Sequence, residues 1–291
     1  MLYRSPWAGL VGILGLLGIG MEMNGVAHAE AIVSSFNYGP NPHHLIDVCR
    51  PPGSSPGPMP AALLIHGGGW SGGHREDLSW VCRYFADRGV VAATMEYRLL
   101  DGSERWPAPL IDAQLAVRWL REHASDLRID TRRICAYGHS AGGHIAALLA
   151  SQVGTLPGDY AEQLGSFSSS ISCAIDNWGP SDFTVASPFQ NLLSRFFPTM
   201  DEPGRLKLAP EVSPIVAITS STAPIFIAHG FADTVVPIAQ SIALMEALGK
   251  AKVKTVFLGF DGEHEFGGLA TKTVKAILDL ELDFIQRVPS R

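Results

Sequence analysis

Basic clusters are missing from this sequence of 291 residues. Its 22 lysines and arginines are outnumbered by 28 acidic residues and mixed among them, for a formal net charge of −6. No stretch can track a phosphate backbone, so nucleic acid is not expected as a partner. Charged residues of both signs make up 17% of the chain against 46% hydrophobic residues. That balance excludes a disordered polymer and leaves material for a large core. A membrane-spanning apolar run is lacking too. The run from about Trp7 to Met21 falls short of the roughly 20 residues a span needs, and Glu22 ends it. The four cysteines, Cys49, Cys82, Cys135 and Cys173, include no Cys-x-x-Cys pair, which removes the usual metal and redox spacings. Cys135 and Cys173 stand in apolar runs and read as small buried hydrophobes, so no essential disulfide is expected. His43, His44 and His74 likewise lack metal-ligand spacing, and no metal is assigned.

What is present begins with an address. Arg4, the apolar run and the small residues of AHA before Glu30 follow the order of a secretory signal, with cleavage expected between Ala29 and Glu30. Residues 1–29 are read as the signal and residues 30–291 as one domain, secreted or periplasmic, with no stable membrane span after cleavage. Within that domain LIDVCRP, AALLIH, VVAATMEYR, RRICAYG, SISCAIDNWG, APIFIAHG and KVKTVFLGF read as strands. Between them PLIDAQLAVRWLREHA, AGGHIAALLASQ and the segments 237–249 and 270–286 read as helices. Strands alternating with helices imply a mostly parallel sheet covered on both faces, with the ligand at the carboxyl ends of the strands. The irregular segment from about Ser181 to Ser221 is read as a small cap over that edge, a merely decorative loop being the alternative.

Gly138, Ser140 and Gly142 form G-x-S-x-G between a strand and a helix, the setting in which this short pattern gains meaning. The glycines permit a sharp turn, the serine is pushed out, and the Ala141 amide opens a helix where it can donate to an oxyanion. A serine hydroxyl needs a base, and the base a third group to orient it. His264, in FDGEHEFGG after the last strand, is the candidate base. His229 also follows a strand but would reverse the serine, acid, histidine order. For the acid, Asp233 follows the penultimate strand, while Asp182 and Asp176 follow the one before and remain alternatives. Glu263 and Glu265 flank His264 too closely to reach around its ring. HGGGW, His66–Trp70, supplies unhindered amides for a developing oxyanion. The rival reading, a phosphate cradle, lacks the Gly-Lys-Ser/Thr it would require.

Taken together, HGGGWSGGHRED, MEYRL, WPAPLIDAQLAVRWL, YGHSAGGHIAALLA, NWGPSDF, HGFADTVVPIAQS and GEHEFG resemble the α/β-hydrolase esterases of the hormone-sensitive-lipase type. They are more similar still to the bacterial feruloyl or acetyl esterase-like (BD-FAE-like) group, from about residue 36 to the C-terminus. The resemblance implies an α/β-hydrolase fold and a carboxylesterase-type serine hydrolase for short-chain acyl or aromatic, feruloyl-type esters, working through an acyl-enzyme without a cofactor. It implies Ser140 as nucleophile, Asp233 and His264 as its partners, and Gly67, Gly68 and Ala141 as oxyanion donors. Trp70, Trp178 and Phe266 become candidates to line an acyl or aromatic pocket, core packing being the alternative for each. Arg98 and Asp112 are expected to pair structurally. The HGG-x-W and GHSAGGH stretches are also similar to arylformamidases, an amide-cleaving alternative that the predicted export disfavours. A non-catalytic binding module is the remaining alternative.

Overall fold

A computed structural model describes residues 30–53, 57–151, 160, 162–185 and 191–288; the predicted signal lies outside them. Eight strands form one sheet: β1 (Ile32–Asn37), β2 (Leu45–Arg50), β3 (Met59–Ile65), β4 (Val91–Met95), β5 (Ile129–His139), β6 (Cys173–Asn177), β7 (Ile225–Gly230) and β8 (Thr255–Phe260). Their order is β1-β2-β4-β3-β5-β6-β7-β8. The pairs β1/β2 and β2/β4 are antiparallel, and every later pair is parallel. This is the α/β-hydrolase fold. Strands β3, β4, β6 and β7 are buried along their whole length, which is why they read in sequence as continuous apolar runs.

Helices cover both faces. On one side lie α2 (Ala108–Glu122), α4 (Ala141–Ala150) and α7 (Ala239–Lys250), which contribute Leu115, Ile145 and Leu244 to the larger core. The other side holds α1 (Ser79–Ala86) and α8 (Thr271–Arg287), with Val81, Phe85, Leu278 and Ile285 packed against Leu64 and Ile175. The described residues also include three short helices: α3 (Ala124–Leu127), α5 (Leu193–Phe196) and α6 (Glu202–Leu208), the last two within the 181–221 segment. No helix among the described residues is long and apolar enough to cross a membrane.

Besides the short helices, including those of the 181–221 segment, two elements escape the sequence pattern. Strand β1 is an edge strand, paired only with β2 and largely exposed, so it carries no apolar alternation. Helix α1 spans two turns and buries only four side chains, too few to declare a period.

The cysteines overturn an expectation. Cys49 on β2 is bonded to Cys82 on α1, and Cys135 on β5 to Cys173 on β6, with no free cysteine. Irregular spacing in sequence hid contacts made by the fold: Cys135 and Cys173 are register partners on adjacent parallel strands. Arg98 and Asp112 meet as anticipated, through Arg98 Nη2 at 2.7 Å from Oδ1. His44 Nε2 adds a second partner to that carboxylate at 3.0 Å.

Candidate active site

The turn that carries Ser140 is made by contact distances its neighbours leave no choice about. A Cβ on Gly138 would stand 2.0 Å from the Gly142 carbonyl oxygen, and one on Gly142 would stand 2.0 Å from that of Ile65. Only glycine fits either position. Between them Ser140 adopts φ 53° and ψ −115°, a backbone conformation that costs a non-glycine residue on the order of 1–3 kcal/mol. Its amide donates to the Asn177 carbonyl at 2.8 Å, so β6 holds the strained residue in place.

Two loops from the far end of the sheet reach back to this serine. His264 stands in a 3-10 turn after β8, and its Nε2 lies 3.1 Å from Ser140 Oγ. Asp233 follows β7, and its Oδ2 lies 2.7 Å from His264 Nδ1. The other Asp233 oxygen accepts from the amides of Val235 and Val236, each at 2.8 Å. A fully buried carboxylate so bound is fixed in direction, and it fixes the imidazole tautomer with a proton on Nδ1. Nε2 is then free to accept the serine proton, and the carboxylate stabilises the imidazolium that results.

The alternatives point elsewhere. Asp182 turns its carboxylate onto the amide and hydroxyl of Thr184. Asp176 accepts from the Gly179 amide, and burial pushes its carboxyl up to about 7. His229 is buried behind Asp233, with Nε2 at 2.8 Å from the Val236 carbonyl and Nδ1 at 2.7 Å from Ser241 Oγ. Burial holds its pKa down, and it does not face the serine.

The glycine loop after β3 lies along the other side of Ser140. A Cβ on Gly67 would sit 3.4 Å from Ser140 Cβ, and Gly68 has φ 102° with no room for one beside Gly72. Ala141 is the first residue of α4, where helix geometry leaves the amide unused. Gly67 of this loop and Ala141 of α4 thus flank the serine, and Gly68 follows in the same turn. The loop is braced by residues that the sequence did not single out. Tyr97 donates from its hydroxyl to the His66 carbonyl at 3.1 Å, and its ring stacks on His66 at 4.1 Å. Arg195 of α5 donates to the Gly69 carbonyl and to Ser71 Oγ, both at 2.9 Å. Nothing in a sequence marks a bracing arginine some 125 positions away from its target.

The three aromatic candidates separate. Trp70 is buried, packed against Phe183 and Phe196, and its Nε1 donates to His144 Nδ1 at 3.2 Å. That bond leaves the proton of His144 on Nε2, which donates to the Val212 carbonyl at 2.7 Å. Trp178 is also fully buried, wedged against His139, His264 and Phe266. Neither indole reaches an open surface, so the pocket role expected of them gives way to packing beneath the site. Phe266 does line a cleft of about 450 Å³ whose wall includes Gly67, Gly68, Asp77, Trp80, His139 and Glu265. Among the described residues no group of three or more His, Cys, Asp or Glu is arranged to hold a metal ion.

Comparison with known proteins places this geometry. A family model described as BD-FAE matches residues 46–248. Esterase LipQ of Mycobacterium tuberculosis (strain ATCC 25618 / H37Rv) is 31% identical over 271 residues, which cover 88% of this chain and 62% of LipQ. An ethyl acetate hydrolase of Pseudomonas putida is 41% identical over 106 residues, 36% of this chain and 33% of that protein. The propionate-bound esterase Est2 of Thermogutta terrifontis superposes with a TM-score of 0.74 at 27% identity, covering 89% of this chain and 94% of that one. Against LipQ, LipC and LipM the chain spans 62%, 53% and 52% of the relative's length.

Proposed function

The chain belongs to the BD-FAE family, and on that premise we propose that it is a serine carboxylic ester hydrolase acting through an acyl-enzyme on short-chain acyl or aromatic, feruloyl-type esters. The observation that carries the reading is the unbroken relay from Ser140 Oγ through the His264 ring to Asp233, at 3.1 and 2.7 Å. Ser140 attacks the ester carbonyl while His264 Nε2 takes its proton. The amides of Gly67, Gly68 and Ala141 receive the negative charge that develops on the carbonyl oxygen. His264 then protonates the departing alcohol, and in the second half it activates the water that releases the acid. Short acyl groups are favoured because relatives carry the names ethyl acetate hydrolase and propionate-bound esterase.

Residues 30–291 act in this reading as one hydrolase domain, with the 181–221 segment as its cap. Export after cleavage behind Ala29 is part of the same proposal, and the two disulfides fit an oxidising compartment.

The test is turnover of p-nitrophenyl esters from acetate to octanoate by the purified protein, beside Ser140→Ala. The expected result is activity highest for the short chains and reduced roughly a millionfold in the variant. Activity that persists in Ser140→Ala would remove the serine mechanism. Silence toward every ester together with hydrolysis of an aryl formamide would transfer the reading to the arylformamidase alternative.

A further inference from the structure

The cleft beside the oxyanion loop has a chemistry of its own. Its walls are Gly67, Gly68, Gly73, Asp77, Leu78, Trp80, His139, Glu265 and Phe266, which include two carboxylates, an exposed indole and no lysine or arginine. It adjoins the reacting atoms: the same Cβ position on Gly67 that lies 3.4 Å from Ser140 Cβ lies 3.8 Å from Glu265 Oε1.

Glu265 is held there at a cost. It adopts φ 55° and ψ 37°, and Phe266 after it has φ 62°, two successive side chains in the left-handed region that glycine ordinarily occupies. Among the described residues the Glu265 carboxylate has no hydrogen bond or ion pair to account for that strain. A free carboxylate next to an oxyanion site opposes the charge that develops there, unless its task is to hold another part of the substrate.

His139 supplies an independent observation. Its side chain is 8% exposed and forms part of the cleft wall. Nε2 meets the Tyr137 hydroxyl at 2.8 Å, which leaves Nδ1 as a polar atom without a partner among the described residues. Burial, reinforced by neighbouring His264, pushes the pKa of this imidazole down to about 3, so it meets a ligand as a neutral group.

We propose that the cleft is the subsite of the leaving alcohol, and that Glu265, assisted by His139, selects alcohols bearing further hydrogen-bond donors. The assignment to the leaving side rests on the proposed mechanism. The departing oxygen must lie at His264 Nε2 to receive its proton, and the two residues that follow His264 form the wall. Donors on a hydroxylated alcohol or on a protonated amine satisfy the same carboxylate, and Trp80, 45% exposed, offers an aromatic face to either. Asp77 is partly engaged, its Oδ2 accepting from the His74 amide at 2.9 Å, which makes Glu265 the principal acceptor.

The test compares kcat/KM for three acetates, those of n-butanol, glycerol (at position 1) and 2-(dimethylamino)ethanol, and reads each as a ratio to the butyl ester on the same enzyme. Both donor-bearing esters are expected to exceed the butyl ester by about tenfold, the worth of one hydrogen bond to a charged group. Glu265→Ala should abolish both preferences, while Glu265→Gln should keep the glyceryl preference and lose the cationic one. His139→Phe should lower the glyceryl ratio and His139→Asn restore it, with circular dichroism confirming that each variant folds. Ratios unchanged in Glu265→Ala and His139→Phe would overturn the proposal. So would a preference that follows hydroxyls on the acyl group with the alcohol held constant. Absence of turnover on all three esters in the wild type would instead remove the hydrolase reading beneath it.

Discussion

The two faces of the sheet are held by different means. On the face covered by α2, α4 and α7, aromatic side chains converge: Phe196 stands 4.7 Å from Trp70, 5.2 Å from Trp106 and 5.5 Å from Phe183, with the His144 ring among them. On the face covered by α1 and α8 lie both disulfides, since Cys49, Cys82, Cys135 and Cys173 all belong to that smaller core. The same face contains Glu281 of α8, wholly buried opposite Tyr137 and Asn177. One face is secured by packing, and the other by covalent links around a buried acid. Packing on the first face reaches the candidate site through Trp70, at the end of the glycine loop, so that side couples stability to the position of that loop. The second reaches it through Asn177, whose carbonyl holds the Ser140 amide.

Phe196→Ala is the sharpest way to separate the two. It deletes the centre of the aromatic cluster, and a cavity of that kind costs ~3–5 kcal/mol, measurable as a lowered urea midpoint. Ester turnover should fall with it, because Trp70 loses a neighbour and Arg195, next in sequence, loses its anchor to Gly69. A variant destabilised to this degree but fully active would show that the packed face does not position the loop. Next in size is removal of the Cys135–Cys173 bond by paired serine substitution. Closing a loop of 38 residues stabilises by ~3–4 kcal/mol in the chain-entropy description. The thermal midpoint should fall while kcat at a permissive temperature stays within about twofold, since the bond lies deep in the sheet. Equal losses of activity in the two variants would erase the distinction between the faces.

How much of this was legible in the sequence depends on the range of the information. Ser140 was legible because its requirements are local: two glycines, a strand before, a helix after. His264 and Asp233 were legible from chain order, as polar residues just past the last two strands, although nothing local distinguished Asp233 from Asp182. Only the fold shows the Asp182 carboxylate turned onto its own loop. The roles of Trp70 and Trp178 were not legible, because an indole beside a motif reads the same whether it faces a ligand or a neighbouring ring. The cysteines illustrate the limit plainly, since register between β5 and β6 is a property of the sheet that the spacing of two residues cannot carry. Glu281 was invisible for a related reason. It sits in LDLELDF among charged neighbours, and the turn that carries it inward is one residue out of phase with those that face water.

That residue gives the smallest of the three effects and the one that tests the second face directly. Among the described residues both Glu281 oxygens are buried without a close hydrogen-bond partner, and burial, only partly offset by the nearby polar groups of Asn177 and Tyr137, pushes the carboxyl up to about 8. The folded protein therefore keeps a proton that the unfolded chain releases near pH 4.5. Below that pH both states are protonated, and the group contributes no pH dependence. Between about 4.5 and 8 the unfolded chain binds fewer protons than the native one, so unfolding becomes easier as pH rises. Above about 8 both states are ionised and the loss levels off. Glu281→Gln, uncharged at every pH and close in shape, removes this linkage. Its stability relative to wild type should increase from pH 5 to pH 8 by on the order of 2 kcal/mol, relaxation around the native carboxylate absorbing part of the shift. Chemical denaturation at pH 5, 6.5 and 8 measures the difference. A constant offset across that range would mean that the native carboxyl ionises as an ordinary glutamate, and that the α8 face holds a charge where the comparison above places a neutral acid.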